Sequence, residues 1–465
     1  MDDNPAEHNS KLQTHNSALP QKGGFTEGFV WGAATAAFQI EGSTHADGRG
    51  ESIWDRFCSL PGRVHNGDTG EPACDHYRLW REDVDMLDEM GVGAYRFSVA
   101  WPRIFPEGRG APNQRGLDFY DRLVDALLER GIAPFVTLYH WDLPQALQDR
   151  GGWRSRDTAE SFARYADAVV RRLGDRAGHW ITHNEPAVAA FHGYLTGEHA
   201  PGFRDWRTAM AAAHNLLLSH GLAMQAIRAA APRVQAGITL NLYPFHPASG
   251  KGSDEEAAQR GDGFQNRWFL DPVLRGRYPD DMLELLGDYV PQPEPGDMQV
   301  ISAPIDFLGI NYYNRSVVES SDANPPLNYS EVKPKGSQYT DMGWEVSPDA
   351  LRELLVRLHK EYPLPAYYIT ENGAAYPDVP SADGKVHDPA RVDYLQAHFD
   401  AARQALEAGV PLKGYFVWSL MDNFEWAWGY SKRFGIIYVD YKTQERIWKS
   451  SALWYRDWIE ANKKG

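Results

Sequence analysis

Residues 132–139 read Ile-Ala-Pro-Phe-Val-Thr-Leu-Tyr, and His140 and Trp141 follow. A run this apolar on both alternating faces does not suit a sheet with one wet side. It suits a parallel strand buried on both faces. Seven more runs have the same character: Phe29–Ala34 (FVWGAA), Ala94–Val99 (AYRFSV), His179–Glu185 (HWITHNE), Ala236–Leu242 (AGITLNL), Asp306–Tyr313 (DFLGINYY), Ala366–Glu371 (AYYITE) and Lys413–Leu420 (KGYFVWSL). Helical patterns lie between most of them. Leu117–Arg130 sets Leu117, Tyr120, Val124, Leu127 and Leu128 on one stripe, and Arg391–Ala408 does so with Val392, Leu395, Phe399 and Leu406. Eight strands alternating with helices predict one (β/α)8 TIM barrel of the α/β class, with elaborated βα loops. A doubly wound sheet is the rival, but no glycine-rich phosphate turn follows the first strand.

Around that core, residues 25–465 read as a single barrel domain without a linker or charge block. Residues 1–24 are polar, with neither an apolar segment nor a cleavage pattern, and read as a disordered tail rather than a signal peptide; the expected compartment is cytoplasmic. The stretches 248–259, 320–338 and 378–388, rich in Gly, Ser, Pro, Asn and Asp, read as surface loops.

Composition narrows the function. The 465 residues carry 47 Lys+Arg against 63 Asp+Glu, a net charge of −16, which repels nucleic-acid phosphates and anionic lipid. No apolar run is long enough to span a bilayer. Two cysteines cannot build a disulfide scaffold or a four-cysteine zinc site, and Cys58 and Cys74 are expected as free thiols. His179 and His183, four apart on a strand, read as wall residues rather than metal ligands. The sixteen tryptophans suit either a large core or flat platforms for a sugar ring.

In a barrel, active groups gather where strands end at the C-terminal rim. Here the strand ends are polar: Tyr139-His140-Trp141, Asn184-Glu185, Asn241, Asn311-Tyr312-Tyr313, Glu371-Asn372 and Trp418. Amides, carboxylates, an imidazole and indoles suit a neutral, hydroxyl-rich ring. Glu185 and Glu371, on the fourth and seventh strands, form the kind of pair that glycoside hydrolysis requires, an acid for the leaving oxygen and a carboxylate for the oxocarbenium-like centre.

Four separated motifs carry a resemblance covering residues 25–458: Phe29-Val30-Trp31-Gly32-Ala33-Ala34-Thr35-Ala36-Ala37-Phe38-Gln39-Ile40-Glu41-Gly42, Asn184-Glu185-Pro186, Thr370-Glu371-Asn372-Gly373, and Trp418-Ser419-Leu420-Met421-Asp422-Asn423-Phe424-Glu425-Trp426. The chain resembles a family 1 glycoside hydrolase, a retaining β-glucosidase acting on cello-oligosaccharides and on aryl or alkyl β-glucosides. The resemblance implies Glu371 as nucleophile and Glu185 as general acid and base, about 5–5.5 Å apart. It places Gln39, His140, Asn184, Glu425 and Trp426 on the sugar's hydroxyls, Trp418 beneath the ring and Tyr313 on the nucleophile. Arg96 and Asn311 are expected around that nucleophile, Trp344 and Asn241 on the aglycone side, with Phe191, Tyr194, Leu195 and His199 as positional neighbours there. No cofactor or metal is implied.

Glu425 favours unphosphorylated sugars, since a carboxylate repels a phosphate dianion; 6-phospho-glycosidase relatives place serine there, although Lys432 does follow. A broader β-glycosidase acting on galactosides or fucosides is the nearest alternative. A silent sugar-binding barrel is the distant one, because both carboxylates are present. His183 departs from the Phe or Leu of relatives, and strand alternation points it away from the sugar if Asn184 points inward.

Overall fold

The computed structural model describes residues 23–463. Most of the predicted tail, 1–24, lies outside the described residues. Eight parallel strands close into a barrel: β1 Val30–Ala34, β2 Ala94–Ser98, β3 Ala133–Tyr139, β4 His179–Asn184, β5 Gln235–Asn241, β6 Phe307–Asn311, β7 Tyr367–Asn372 and β8 Leu412–Trp418. Each pairs with its neighbours in chain order, and β1 closes on β8, with Val30 opposite Gly414 and Ala34 opposite Trp418. All eight coincide with the predicted runs to within two residues at either end.

The two helical stripes appear as Gln114–Glu129 and Pro389–Glu407. The first buries Leu117, Phe119, Tyr120, Leu123, Val124 and Leu127 against the barrel wall. The longest helix, Trp206–Ala230, begins with Asp205 accepting from the Thr208 amide at 2.7 Å, which satisfies one of the free N–H groups of its first turn. No helix among the described residues is long and apolar enough to cross a membrane. Cys58 and Cys74 are free and buried.

One loop reading fails. Most of 248–259 belongs to the helix Gly252–Asp262, with Asp254 and Glu255 in its first turn, where acidic side chains meet the positive end of the helix dipole. Its buried face is chiefly Ala257 and Ala258 packed on Val318, too small a stripe to stand out in sequence. Within 320–338, Tyr329–Glu331 forms a short strand antiparallel to Ser316–Ser320, and the rest is irregular. The stretch 378–388 has no regular element.

The lower barrel is plugged by rings: Phe135 stacks on His179 at 4.0 Å and meets Phe416 at 4.8 Å, while Phe307 meets Tyr368 at 5.2 Å. Gly32 of β1 permits this, since a Cβ there would lie 2.5 Å from the Phe416 ring. Polar side chains converge instead toward the opposite end of the barrel, where Arg96, Asn184, Asn311 and Glu371 are bonded together.

Candidate active site

Both carboxylates are buried at the C-terminal rim, Glu371 near the end of β7 and Glu185 one residue past β4, at the start of the helix Pro186–Phe191. Their donor sets differ. Arg96 of β2 donates to Glu371 Oε1 at 2.6 Å, and the Tyr313 hydroxyl donates to Oε2 at 2.6 Å. Glu185 receives one protein donor, Asn311 Nδ2, at 2.6 Å on Oε1. Burial raises Glu371 above the usual carboxylate range, and Arg96, Tyr313 and Asn311 oppose that rise. Burial and the charge of Glu371 push Glu185 up to about 8. Of the two, Glu185 is the one whose protonated form its surroundings favour, and Glu371 the one furnished with donors for its anion.

Asn184 orients the neighbouring groups. Its Oδ1 accepts from Arg96 at 2.7 Å and from Asn311 at 2.9 Å, so its Nδ2 must donate to His140 Nε2 at 3.0 Å. With Nε2 accepting, the imidazole proton sits on Nδ1. Burial, reinforced by Arg96, holds His140 well below the usual imidazole range, so it stays neutral. Arg96 also reaches Thr137 Oγ1 and the Thr370 carbonyl. Four of this arginine's five N–H groups are thus committed.

Among the expected site residues, four buried polar atoms have no protein partner: Gln39 Oε1, His140 Nδ1, Glu425 Oε2 and Asn241 Oδ1. Such atoms are costly unless a ligand meets them. Gln39 Nε2 is pinned by Asn423 Oδ1 at 3.0 Å and the Phe424 carbonyl at 2.9 Å, leaving its oxygen unpaired. Burial and the nearby Glu371 push Glu425 up to about 8. Three residues of this rim, Trp141, Glu185 and Trp426, have left-handed φ values of +76°, +50° and +48°, a concentration of backbone strain that marks functional sites. Gly373 is required by close approach: a Cβ would lie 1.7 Å from the Trp418 carbonyl oxygen, where the ends of β7 and β8 meet.

These groups open on a cavity of about 300 Å³ whose walls include His140, Glu185, Tyr313, Trp344, Glu371, Trp418, Glu425 and Trp426. Asn184, Asn311 and Arg96 lie just behind that wall and hold it. Asn311, expected beside the nucleophile, makes its closest carboxylate bond to Glu185. Asn241 sits behind Tyr243, to which it donates at 3.3 Å. His199 reaches the cavity, whereas Phe191 stacks on Phe264 at 4.1 Å and Tyr194 bonds Gln148 at 2.7 Å, both in the core; Leu195 packs on the edge of that core. His183 faces outward as alternation required, its Nε2 on Ser219 and its ring 4.5 Å from Phe162. Trp141, Tyr243, Met342, Trp428 and Phe434 also line the cavity and were not singled out as site residues from sequence. Trp141 follows His140 at a strand end, and Met342 and Trp428 lie two residues from Trp344 and Trp426, which is the signal that was available.

A parallel barrel whose rim holds a proton-bearing carboxylate beside an ion-paired one, among indoles and unpaired hydroxyl partners, defines a glycosidase site. The chain belongs to glycosyl hydrolase family 1, whose sequence profile matches residues 21–464. It is 52% identical over 439 residues to β-glucosidase A of Thermotoga maritima, covering 94% of this chain and 98% of that protein. It is 48% identical to a bifunctional β-D-glucosidase/β-D-fucosidase of Bifidobacterium breve, covering 94% and 98%. The solved structure of the T. maritima β-glucosidase with deoxynojirimycin superposes with a TM-score of 0.92 at 51% identity, covering 94% and 99%.

Proposed function

We propose that residues 25–465 act as one catalytic unit, a β-glucosidase that releases terminal non-reducing β-D-glucosyl residues with retention. The unequal donor sets of Glu185 and Glu371 carry this reading. Glu371 attacks the anomeric carbon while Glu185 gives its proton to the departing glycosidic oxygen, forming a glycosyl ester and a free aglycone alcohol. The ester is neutral, so the repulsion that held the proton on Glu185 falls away. Glu185 then takes a proton from water, the water oxygen bonds the anomeric carbon, and Glu371 leaves as carboxylate. Arg96 and Tyr313 stabilise Glu371 as attacking and leaving anion.

The sugar ring lies on Trp418. His140 Nδ1–H donates to one hydroxyl, Gln39 Oε1 accepts from another, and Asn184 turns its amide toward the 2-hydroxyl. Glu425 and Trp426 meet the hydroxyls at the far end of the ring, and Trp344 borders the aglycone. Lys432, the one cation a phosphate would need, is engaged by the Asp341 carboxylate at 3.0 Å and its carbonyl at 2.8 Å. That engagement supports neutral sugars.

The test compares initial hydrolysis of an aryl β-glucoside with that of its 6-phospho counterpart, using Glu371→Gln as control. Fast turnover of the neutral substrate, absent from the variant, is the expected result. Turnover of the phosphorylated substrate alone would remove Glu425 from the pocket, and turnover of neither would leave a sugar-binding barrel. β-Fucosides are a second substrate class, favoured by the bifunctional B. breve relative; lacking the C6 hydroxyl, they leave one Glu425 contact unmade and should turn over less efficiently.

A further inference from the structure

Outside the cavity lies an alternation of six charges, five of them buried and the sixth, Arg433, half-buried. Lys449 is fully buried, and its Nζ donates to Asp378 at 2.6 Å and to Asp422 at 2.7 Å. Asp422 also accepts from Arg433 at 2.6 Å and from the Gly435 amide at 3.0 Å. Asp378 accepts from Arg391 at 2.7 Å, and Arg391 in turn pairs with Asp388 and donates to the carbonyls of Ala374 and Arg433. Three cations balance three anions, and none of them touches the cavity.

The cluster joins the two segments that build the sugar pocket. Ala374 lies three residues beyond Glu371. Asp422 lies inside the loop that runs from Trp418 to Trp426. The residue after it, Asn423, fixes Gln39 by accepting from Nε2, and is itself tied to Ser419 Oγ at 2.9 Å. Asp422 is therefore the anchor of the segment that aims Gln39, Trp418, Glu425 and Trp426. Its charge is held by Lys449 and Arg433 alone among the described cations. Without Lys449 both Asp378 and Asp422 lose a buried counter-charge, and a buried carboxylate so exposed to imbalance moves or takes up a proton.

We propose that Lys449 is a positioning residue for sugar recognition: through Asp422 it sets the loop that presents Gln39, Glu425 and Trp426, while leaving the carboxylate pair to Arg96, Tyr313 and Asn311. The cluster thereby separates ground-state recognition of the ring from the chemistry at the anomeric carbon. This rests on the β-glucosidase reading above.

The experiment reads binding and turnover separately, in Lys449→Met, Arg433→Gln and the charge-balanced double variant Asp378→Asn/Lys449→Met. Deoxynojirimycin affinity is measured by calorimetry, and kcat and KM on an aryl β-glucoside. The expected result for Lys449→Met is a KM and an inhibitor Kd raised about 10-fold with kcat within about 3-fold. The double variant should recover much of that loss, because it restores neutrality. Should Lys449→Met not fold, Arg433→Gln, which strips the other counter-charge from Asp422, carries the same expectation. Unchanged KM and Kd in a folded variant, whatever its melting temperature, overturn the proposal by leaving the cluster a merely structural role; so does a fall in kcat without a rise in KM. Tight inhibitor binding by a wild-type protein that turns over no glucoside would instead overturn the β-glucosidase reading and leave the positioning role measurable through Kd.

Discussion

The two ends of the barrel interior are built by opposite rules. At the lower end Phe135, Phe307, Tyr368 and Phe416 pack ring against ring, and His179 is kept neutral by burial, held down to about 4. At the rim, two carboxylates and an arginine share one amide-lined space, three residues have left-handed backbones, and several polar atoms lack partners. The floor gains stability from dense apolar contact. The rim gives up some of that stability to hold charge and unpaired donors where a substrate will meet them. Stability and chemistry are thus drawn from different layers of the same eight strands.

That division can be broken from either side. The largest effect belongs to Glu371→Gln, which removes the covalent step and should lower kcat by about 10⁴-fold or more while leaving the melting temperature unchanged or higher. Glu185→Gln should lower kcat/KM by about 10²–10⁴-fold on a disaccharide, whose leaving oxygen needs a proton, and far less on an aryl glucoside with an acidic phenol. In the wild type the same residue sets the alkaline limb. Glu185 must enter the reaction protonated, so activity should fall as pH rises through about 8, and the limb should disappear from the residual activity of Glu185→Gln. From the other end, Phe416→Ala should destabilise the fold by about 3–5 kcal/mol in chemical denaturation and leave kcat/KM of the folded protein almost unaltered. A comparable loss of activity would show that floor and rim are not independent.

The smallest effect concerns a buried carboxylate outside the pocket. Asp142 has no hydrogen-bond partner for either oxygen, and burial pushes it up to about 8 despite Arg49. Its folded pKa lies above its unfolded one, so its share of stability is complete at acidic pH and is lost as pH climbs toward about 8. Asp142→Asn should therefore narrow the drop in melting temperature between pH 6 and pH 9. An unaltered drop would place the pH dependence on Glu185 and Glu425 instead.

Strand positions were legible because parallel strands covered on both faces leave unbroken apolar runs such as 132–139, and the rim residues because each directly follows such a run. Glu185 and Glu371 close such runs and stood out as a pair; His140 and Trp418 needed the family motifs as well as their place at a strand end. The helix Gly252–Asp262 was not legible, since two alanines suffice to bury its face. Trp428, Tyr243 and Phe434 were hidden for another reason: they reach the cavity from loops, whose path no periodicity encodes. The six-charge cluster was hidden for a third, as its members come from four stretches of chain that only the closed barrel brings together.

The bond from Gln39 to Asn423 joins residues 384 positions apart. It sits beside the seam where the first strand meets the last. During synthesis the sugar pocket therefore has no partial form: until the final strand has left the ribosome and closed on β1, Gln39 faces an unfinished wall. A chain that carries Glu185 and Glu371 but ends before Asn423 is therefore expected to hydrolyse no glucoside. An assay for glucoside hydrolysis on this protein is, in that sense, also a report that the first and last barrel strands have met.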